Sequence, residues 1–401
     1  MNSEASTTGT TPVSLWLPLW AGLCASLIGI GLARFAYTPL VPALIEAHWF
    51  SASTVIYLGA ANLVGYLIGA LVGRPLAARA SNATVLRGMM LLVTLSFFAC
   101  ATPLSVAWFF AWRLLSGVAG GTIMVLTAGA ILPYVSASRR GLASGAIFLG
   151  LGLGIAGSGT LVPLLLSFGL LHAWIGLGLV ALLLTASSWR GWPADHTPHL
   201  AAPDAPPAPP SNGVRLLFAQ YGLMAVGLVA PMIFLVDYVS RGLGAGTHSG
   251  AVIWTLYGIG AIAGPVVYGF LADRLGAQRA IRLLLLAQLA ALGVLLEASN
   301  LYVLGMAAVV IGSFPPGIVP LGLARVHQLI AVPQQQNATW SRATVSFATC
   351  QALAGYGYSA LFAASGGHYA WLFGVAMVAL MLALALELPG LLAARRTATE
   401  A

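Results

Sequence analysis

The chain has 401 residues, 59% of them hydrophobic and only 6% charged, where an ordinary soluble domain carries roughly a quarter charged residues. That balance, with a mean hydropathy of +0.93, excludes a soluble catalytic domain and describes an integral membrane protein. The net charge of +8 would suit a nucleic-acid binder, but the seventeen basic residues are all arginines scattered along the chain, which points to membrane topology and away from nucleic acid.

The segment Met1–Pro12 lacks the basic region of a cleavable signal peptide, so the first apolar run is read as a retained helix. Splitting the apolar sequence at Pro, Gly, Arg and polar clusters predicts twelve helices. Their approximate spans are 15–46, 52–73, 83–102, 105–134, 141–167, 170–190, 214–240, 250–272, 279–298, 301–326, 340–364 and 368–393. Runs of about 20 apolar residues are long enough to cross a bilayer as helices. Between the sixth and seventh, the Pro-rich stretch Ala202–Pro210 cannot continue a helix and reads as an extended linker. The predicted organisation is a tail (1–14), a six-helix bundle (15–190), a linker (191–213), a second six-helix bundle (214–393) and a short tail (394–401).

Arg74, Arg79, Arg87, Arg139, Arg140, Arg190, Arg215, Arg274, Arg279, Arg282, Arg395 and Arg396 fall in alternate loops or at a terminus, and Arg325 and Arg342 flank another loop of that set. The opposite loops hold only Arg241. By the positive-inside rule both tails and the linker are cytoplasmic. The two halves also correspond: Gly269-Phe-Leu-Ala-Asp273-Arg274-Leu-Gly276 follows the eighth helix, and Gly73-Arg-Pro-Leu-Ala-Ala78-Arg79 follows the second.

The Gly-x-Leu-Ala-Asp-Arg-x-Gly segment resembles the cytoplasmic signature of the major facilitator superfamily, and Trp112-Arg113-Leu-Leu-Ser-Gly117 is similar to the superfamily's fourth-helix pattern. Ala78 departs from the family by standing where Asp is usual. Gly31-Leu-Ala-Arg34-Phe-Ala-Tyr37-Thr38-Pro39-Leu-x-Pro42 and Gly150-Leu-Gly-Leu-Gly-Ile-Ala-Gly-Ser-Gly159 resemble the YbfB/YjiJ-type branch. The resemblance implies an all-α membrane fold of two pseudo-symmetric six-helix bundles, with helices 1, 4, 7 and 10 lining a central cavity. It also implies a transporter in the bacterial inner membrane, working by alternating access.

Arg34 lies near the middle of helix 1, offset roughly 5 Å towards the outer side at 1.5 Å per residue. A guanidinium in hydrocarbon costs at least about 2.5 kcal/mol and cannot lose its proton, so it marks a functional site by default. Tyr37 and Thr38 share its helical face. Arg113, roughly 9 Å off the middle of helix 4 by the same rise, has two readings: a second ligand for a substrate anion, or a packing and gating residue. Asn62, Gln351 and Tyr257 are candidate polar wall residues. For coupling, Asp237 is the best placed of a sparse set of acids, and the Asp273–Arg274 loop is a gating candidate with Arg113.

Gly152, Gly154 and Gly157 match a dinucleotide fingerprint in letters only, since no strand precedes them, and they read as helix-packing glycines matched by Gly117 and Gly121. Pro39 and Pro42, and Pro315 and Pro316, are expected to break or kink helices 1 and 10. Cys24, Cys100 and Cys350 lie far apart in apolar runs and the histidines scatter over loops, so no metal or other cofactor is expected.

The function expected is a secondary transporter for a small organic, anionic or polar solute, with proton-coupled export as its candidate mode, acting as a monomer and without enzymatic chemistry. A membrane sensor on the same scaffold is the alternative.

Overall fold

A computed structural model describes residues 15–136, 139–193 and 211–387, and every regular element among them is helical. The chain forms α1 (Trp16–Glu46), α2 (Ala52–Arg79), α3 (Asn82–Ala99), α4 (Val106–Ile131), α5 (Arg140–Leu166) and α6 (Leu170–Ser188). It continues with α7 (Asn212–Asp237), α8 (Gly246–Leu275), α9 (Ala277–Glu297), α10 (Leu301–Leu329), α11 (Pro333–Ala364) and α12 (Tyr369–Ala385). Ten of these are long and apolar enough to cross a membrane; α11 is too polar by that measure and α12 is only 17 residues long. The tails and most of the linker predicted above lie outside the described residues.

Polar caps set several helix starts. Ser51, Ser81 and Ser105 each accept a hydrogen bond from a backbone N–H of the first turn of α2, α3 and α4, and Asn300 does the same for α10. Several helices outrun their predicted ends: α2 continues through Arg74 and Pro75 to Arg79, and α11 begins at Pro333. Hydropathy stops at the hydrocarbon boundary, whereas backbone hydrogen bonding continues into the polar layer, where arginine side chains reach water.

The prolines of α10 do not interrupt it, whereas α1 is interrupted at Ala36, one turn before Pro39. The last segment of α1, Tyr37–Glu46, runs through Pro39 and Pro42, and α10 is continuous through Pro315, Pro316 and Pro320. Each proline removes one N–H, a loss that tightly packed neighbouring helices accommodate. A second irregularity in α1 comes earlier, as a π-helical stretch at Leu27–Leu32.

Glycines bring the backbones together. A Cβ on Gly65 or Gly69 of α2 would strike the Leu114 and Val118 carbonyls of α4, and one on Gly117 or Gly121 would strike those of Asn62 and Tyr66. The partner of Gly117 and Gly121 is therefore α2, and not the glycine-rich α5. The α8–α10 pair repeats the device: Gly260, Gly264 and Gly312 face the carbonyls of Val309, Ser313 and Tyr257. Such spacing permits contact closer than ordinary side chains allow.

Helices α1–α6 pack largely on one another, as do α7–α12. The two groups meet through α5 on α8, α2 on α11, and α1 on α7. Gly152 faces Ile262, and Gly159 faces Thr255 across the α5–α8 seam. Large apolar side chains such as Leu183, Val266, Met306 and Leu353 are exposed on the outside, as a lipid-facing surface requires.

Candidate functional site

Arg34 follows directly on the π-helical stretch of α1. Close packing surrounds that stretch: a Cβ on Gly29 would meet Ile123 of α4, and one on Gly31 would meet the Gly154 backbone of α5. Its guanidinium carbon lies 5.4 Å from the centre of the Phe35 ring and 5.2 Å from that of Tyr66 on α2. The phenols of Tyr66 and of Tyr257 on α8 are its electrostatic neighbours. Nε and Nη2 of Arg34 are buried without a hydrogen-bond partner, and among the described residues Arg34 forms no ion pair. Cation–π contacts contribute about 0.5–2 kcal/mol each, less than a guanidinium gains from a carboxylate with two oxygens.

The wall opposite α2 is aromatic and comes from the other half of the chain. Trp254 and Tyr257 stack with ring centres 4.5 Å apart and an interplanar angle of 13°, and Phe35 lies 6.2 Å from Trp254. Trp254 Nε1 donates to Ser158 Oγ of α5 at 2.9 Å, which holds the indole in place. The Tyr257 hydroxyl is buried and has no partner.

Gln351 on α11 is also buried, and its Oε1 has no partner. A Cβ on Gly355 would meet Leu63 and Ala60 of α2. Because α2 and α11 run in opposite directions, Gln351, one turn earlier on α11, lies at the depth of Tyr66. Arg34 and Tyr257 thus leave unpaired polar atoms beside one another where the halves meet, and Gln351 leaves a further one on α11.

Arg113 is placed differently. Nη1 donates to the Ala33 carbonyl at 2.7 Å, and the guanidinium lies 4.2 Å from the centre of the Tyr37 ring. It lines a small space within the first half together with Cys100, Ser116 and Trp174. Its electrostatic neighbours are Tyr37 and Cys100, whereas those of Arg34 are Tyr66 and Tyr257, so the two guanidiniums do not face a common partner. Asn62 Nδ2 donates to Ser116 Oγ at 2.9 Å, and the Ser116 hydroxyl donates to the Arg113 carbonyl at 2.8 Å. Asn62 therefore serves the α2–α4 contact.

Tyr37 and Thr38 are both buried and both already hydrogen-bonded. The Tyr37 hydroxyl donates to the Val55 carbonyl at 2.7 Å, and the Thr38 hydroxyl donates to the Met232 carbonyl of α7 at 2.8 Å. The second bond ties α1 to α7 across the interface.

Of the coupling candidates, Asp237 is fully buried but fixed. Arg241 donates to its two oxygens at 2.6 and 3.2 Å, and the Tyr369 hydroxyl donates at 2.6 Å. Asp273 and Arg274 are exposed at the end of α8, where Arg274 lies 4.8 Å from the centre of the Phe270 ring. Gly276, at φ +81°, turns the chain into α9 there. Among the described residues no three His, Cys, Asp or Glu side chains cluster as metal ligands do.

Sequence reasoning passed over Phe35 and Ser158 as ligand-shaping residues and could name Trp254 and Tyr66 only as general candidates for a cavity wall. A run of aromatic and small residues in an apolar helix carries no mark of which ring will face a guanidinium on another helix. The one available signal is that Tyr66 and Tyr257 sit in corresponding helices of the two halves, each beside a close-packing glycine.

Comparisons with known proteins agree with this architecture. Residues 26–388 match the family described as "Uncharacterised MFS-type transporter YbfB". A gallate transporter of Pseudomonas putida is 25% identical over 334 residues, covering 70% of this chain and 74% of that protein. The crystal structure of the nucleoside transporter NupG superposes with a TM-score of 0.76 at 12% identity, covering 93% of this chain and 100% of that one. With nearly its whole length matched, the chain belongs to the YbfB-type family of major facilitator superfamily transporters.

Proposed function

We propose that the protein is a secondary transporter of a small organic anion, moved by alternating access with Arg34 as the anchoring cation. The observation that carries this reading is the Arg34 guanidinium, which has two buried nitrogens without partners and no acid beside it among the described residues. A charged group in that position is costly unless something complements it, and a carboxylate does so through two charge-assisted hydrogen bonds. The aromatic faces of Phe35, Tyr66 and Tyr257 favour a flat organic body next to that carboxylate. The Pseudomonas putida relative is called a gallate transporter, and gallate is an aromatic carboxylate, so it is the first solute to test. Tyr257 and Gln351 are the hydrogen-bonding groups at hand for ring substituents.

In this reading the halves, 15–190 and 214–393, rock about the site, and Thr38 and Arg113 act through the stability of α1 rather than by touching the solute. The arginine bias of the loops supports an inner-membrane protein with both termini in the cytoplasm. Uptake of radiolabelled gallate and benzoate by proteoliposomes tests the assignment. Wild type accumulates label, Arg34→Gln does so about tenfold to a hundredfold more slowly, and Arg34→Lys retains part. Equal flux by wild type and Arg34→Gln would remove Arg34 from the site.

A further inference from the structure

We infer that this transporter is an anion exchanger, in which the bound organic anion is what allows the two halves to change places; the inference rests on the anion reading of the Arg34 site. The chain has nine acids: Glu4, Asp195, Asp204 and Glu400 lie outside the described residues, and Glu46, Asp237, Asp273, Glu297 and Glu387 lie within them. Glu46 and Glu297 are the last residues of α1 and α9, and Asp273 is exposed at the end of α8. Asp237 is held by Arg241 and Tyr369. Glu387 is held by Gln220 at 3.0 Å, Gln278 at 2.6 Å and Arg282 at 3.3 Å, at the opposite end of the molecule from Asp237.

Histidine offers no alternative. His48, His172, His248 and His368 lie in or beside the connections between helices, His327 is near the end of α10, and His196 and His199 fall outside the described residues. The titratable neighbours of Arg34 are the Tyr66 and Tyr257 phenols, with Tyr221 of α7 next to Tyr66. Among the described residues the site therefore joins a permanent cation to neutral aromatic side chains, with no carboxylate or imidazole to trade protons with it.

Charge balance then sets the transport mode. When the site is open to either side, water screens Arg34. In the occluded state that lies between, an empty site leaves a bare guanidinium in low dielectric, whereas a bound monoanion brings the site to neutrality. The loaded carrier consequently crosses faster than the empty one, and net one-way movement is slow. Arg113 does not alter this difference, because the Ala33 carbonyl and the Tyr37 ring engage it whether or not solute is present.

The test uses purified protein in liposomes, voltage-clamped with potassium and valinomycin, with external radiolabelled gallate and, in parallel, benzoate. Liposomes preloaded with the same unlabelled anion should take up label at least about tenfold faster than liposomes holding potassium chloride alone, a ratio equivalent to about 1.4 kcal/mol in barrier. An imposed pH gradient should leave both rates unchanged. Uptake into chloride-only liposomes at the preloaded rate, or uptake driven by an inward proton gradient, would overturn exchange while leaving the anion reading standing. Absence of label under every condition, with no Arg34-dependent rise in melting temperature on adding either anion, would overturn both.

Discussion

The two halves of the molecule share their glycine packing and differ in how they handle charge. In the second half each buried acid is matched: Asp237 with Arg241 and Tyr369, Glu387 with Arg282 and two glutamines. In the first half the two intramembrane arginines, Arg113 buried and Arg34 partly so, have rings and a carbonyl for company and no acid among the described residues. Matched pairs brace a structure, since removing either member leaves the other uncompensated. An unmatched cation leaves binding energy available to a ligand, and the fold places Arg34, with two unpartnered nitrogens, where the halves meet, whereas Arg113 keeps its Nε unpartnered inside the first half.

The broadest way to break this comparison is to attack what the halves share. Gly117→Leu and Gly312→Leu each force a side chain into a facing carbonyl, and each should cost about 3 kcal/mol or more, seen as loss of the monodisperse peak in detergent. If one half tolerated the change, the packing would not be equivalent. Arg34→Gln separates ligand binding from folding: uptake should fall by about tenfold to a hundredfold, as expected for a charge-assisted bond of 1.5–3 kcal/mol, with little change in melting temperature.

Arg241→Ala should show the reverse pattern, lowering thermal stability by about 1–3 kcal/mol because it strips hydrogen bonds from a buried carboxylate, while binding of gallate in the folded fraction is unchanged. Asp273→Ala probes the loop asymmetry and should slow flux several-fold where Ala78→Ser does not; equal tolerance at both positions would count against functional divergence of the two loops. The smallest effect belongs to Thr38→Val, which removes one α1–α7 hydrogen bond of about 0.5–1.5 kcal/mol and should speed exchange slightly by loosening that contact.

What the sequence alone determined follows from solvent. Lipid demands long apolar helices and tolerates few charges, so the helix order, the membrane class and the isolation of Arg34 are legible in composition and periodicity. The resemblance of the Asp273 loop and of the Arg34 segment to a known family carried the fold class further. Helix ends were misjudged at Arg79 and Pro333 because hydropathy does not record backbone hydrogen bonds beyond the hydrocarbon.

Only the tertiary structure decided which face each polar residue takes. The π-helical stretch at Leu27–Leu32 breaks the 3.6-residue phase just before Arg34, so no helical wheel drawn across it relates the earlier turns to that side chain. Tyr37 and Thr38, assigned to the ligand by spacing, are committed to Val55 and Met232. Arg113 and Arg34 look alike in sequence, each a lone cation in an apolar helix. Packing separates them, since one reaches a backbone carbonyl on a neighbouring helix and the other is surrounded by rings that cannot neutralise it.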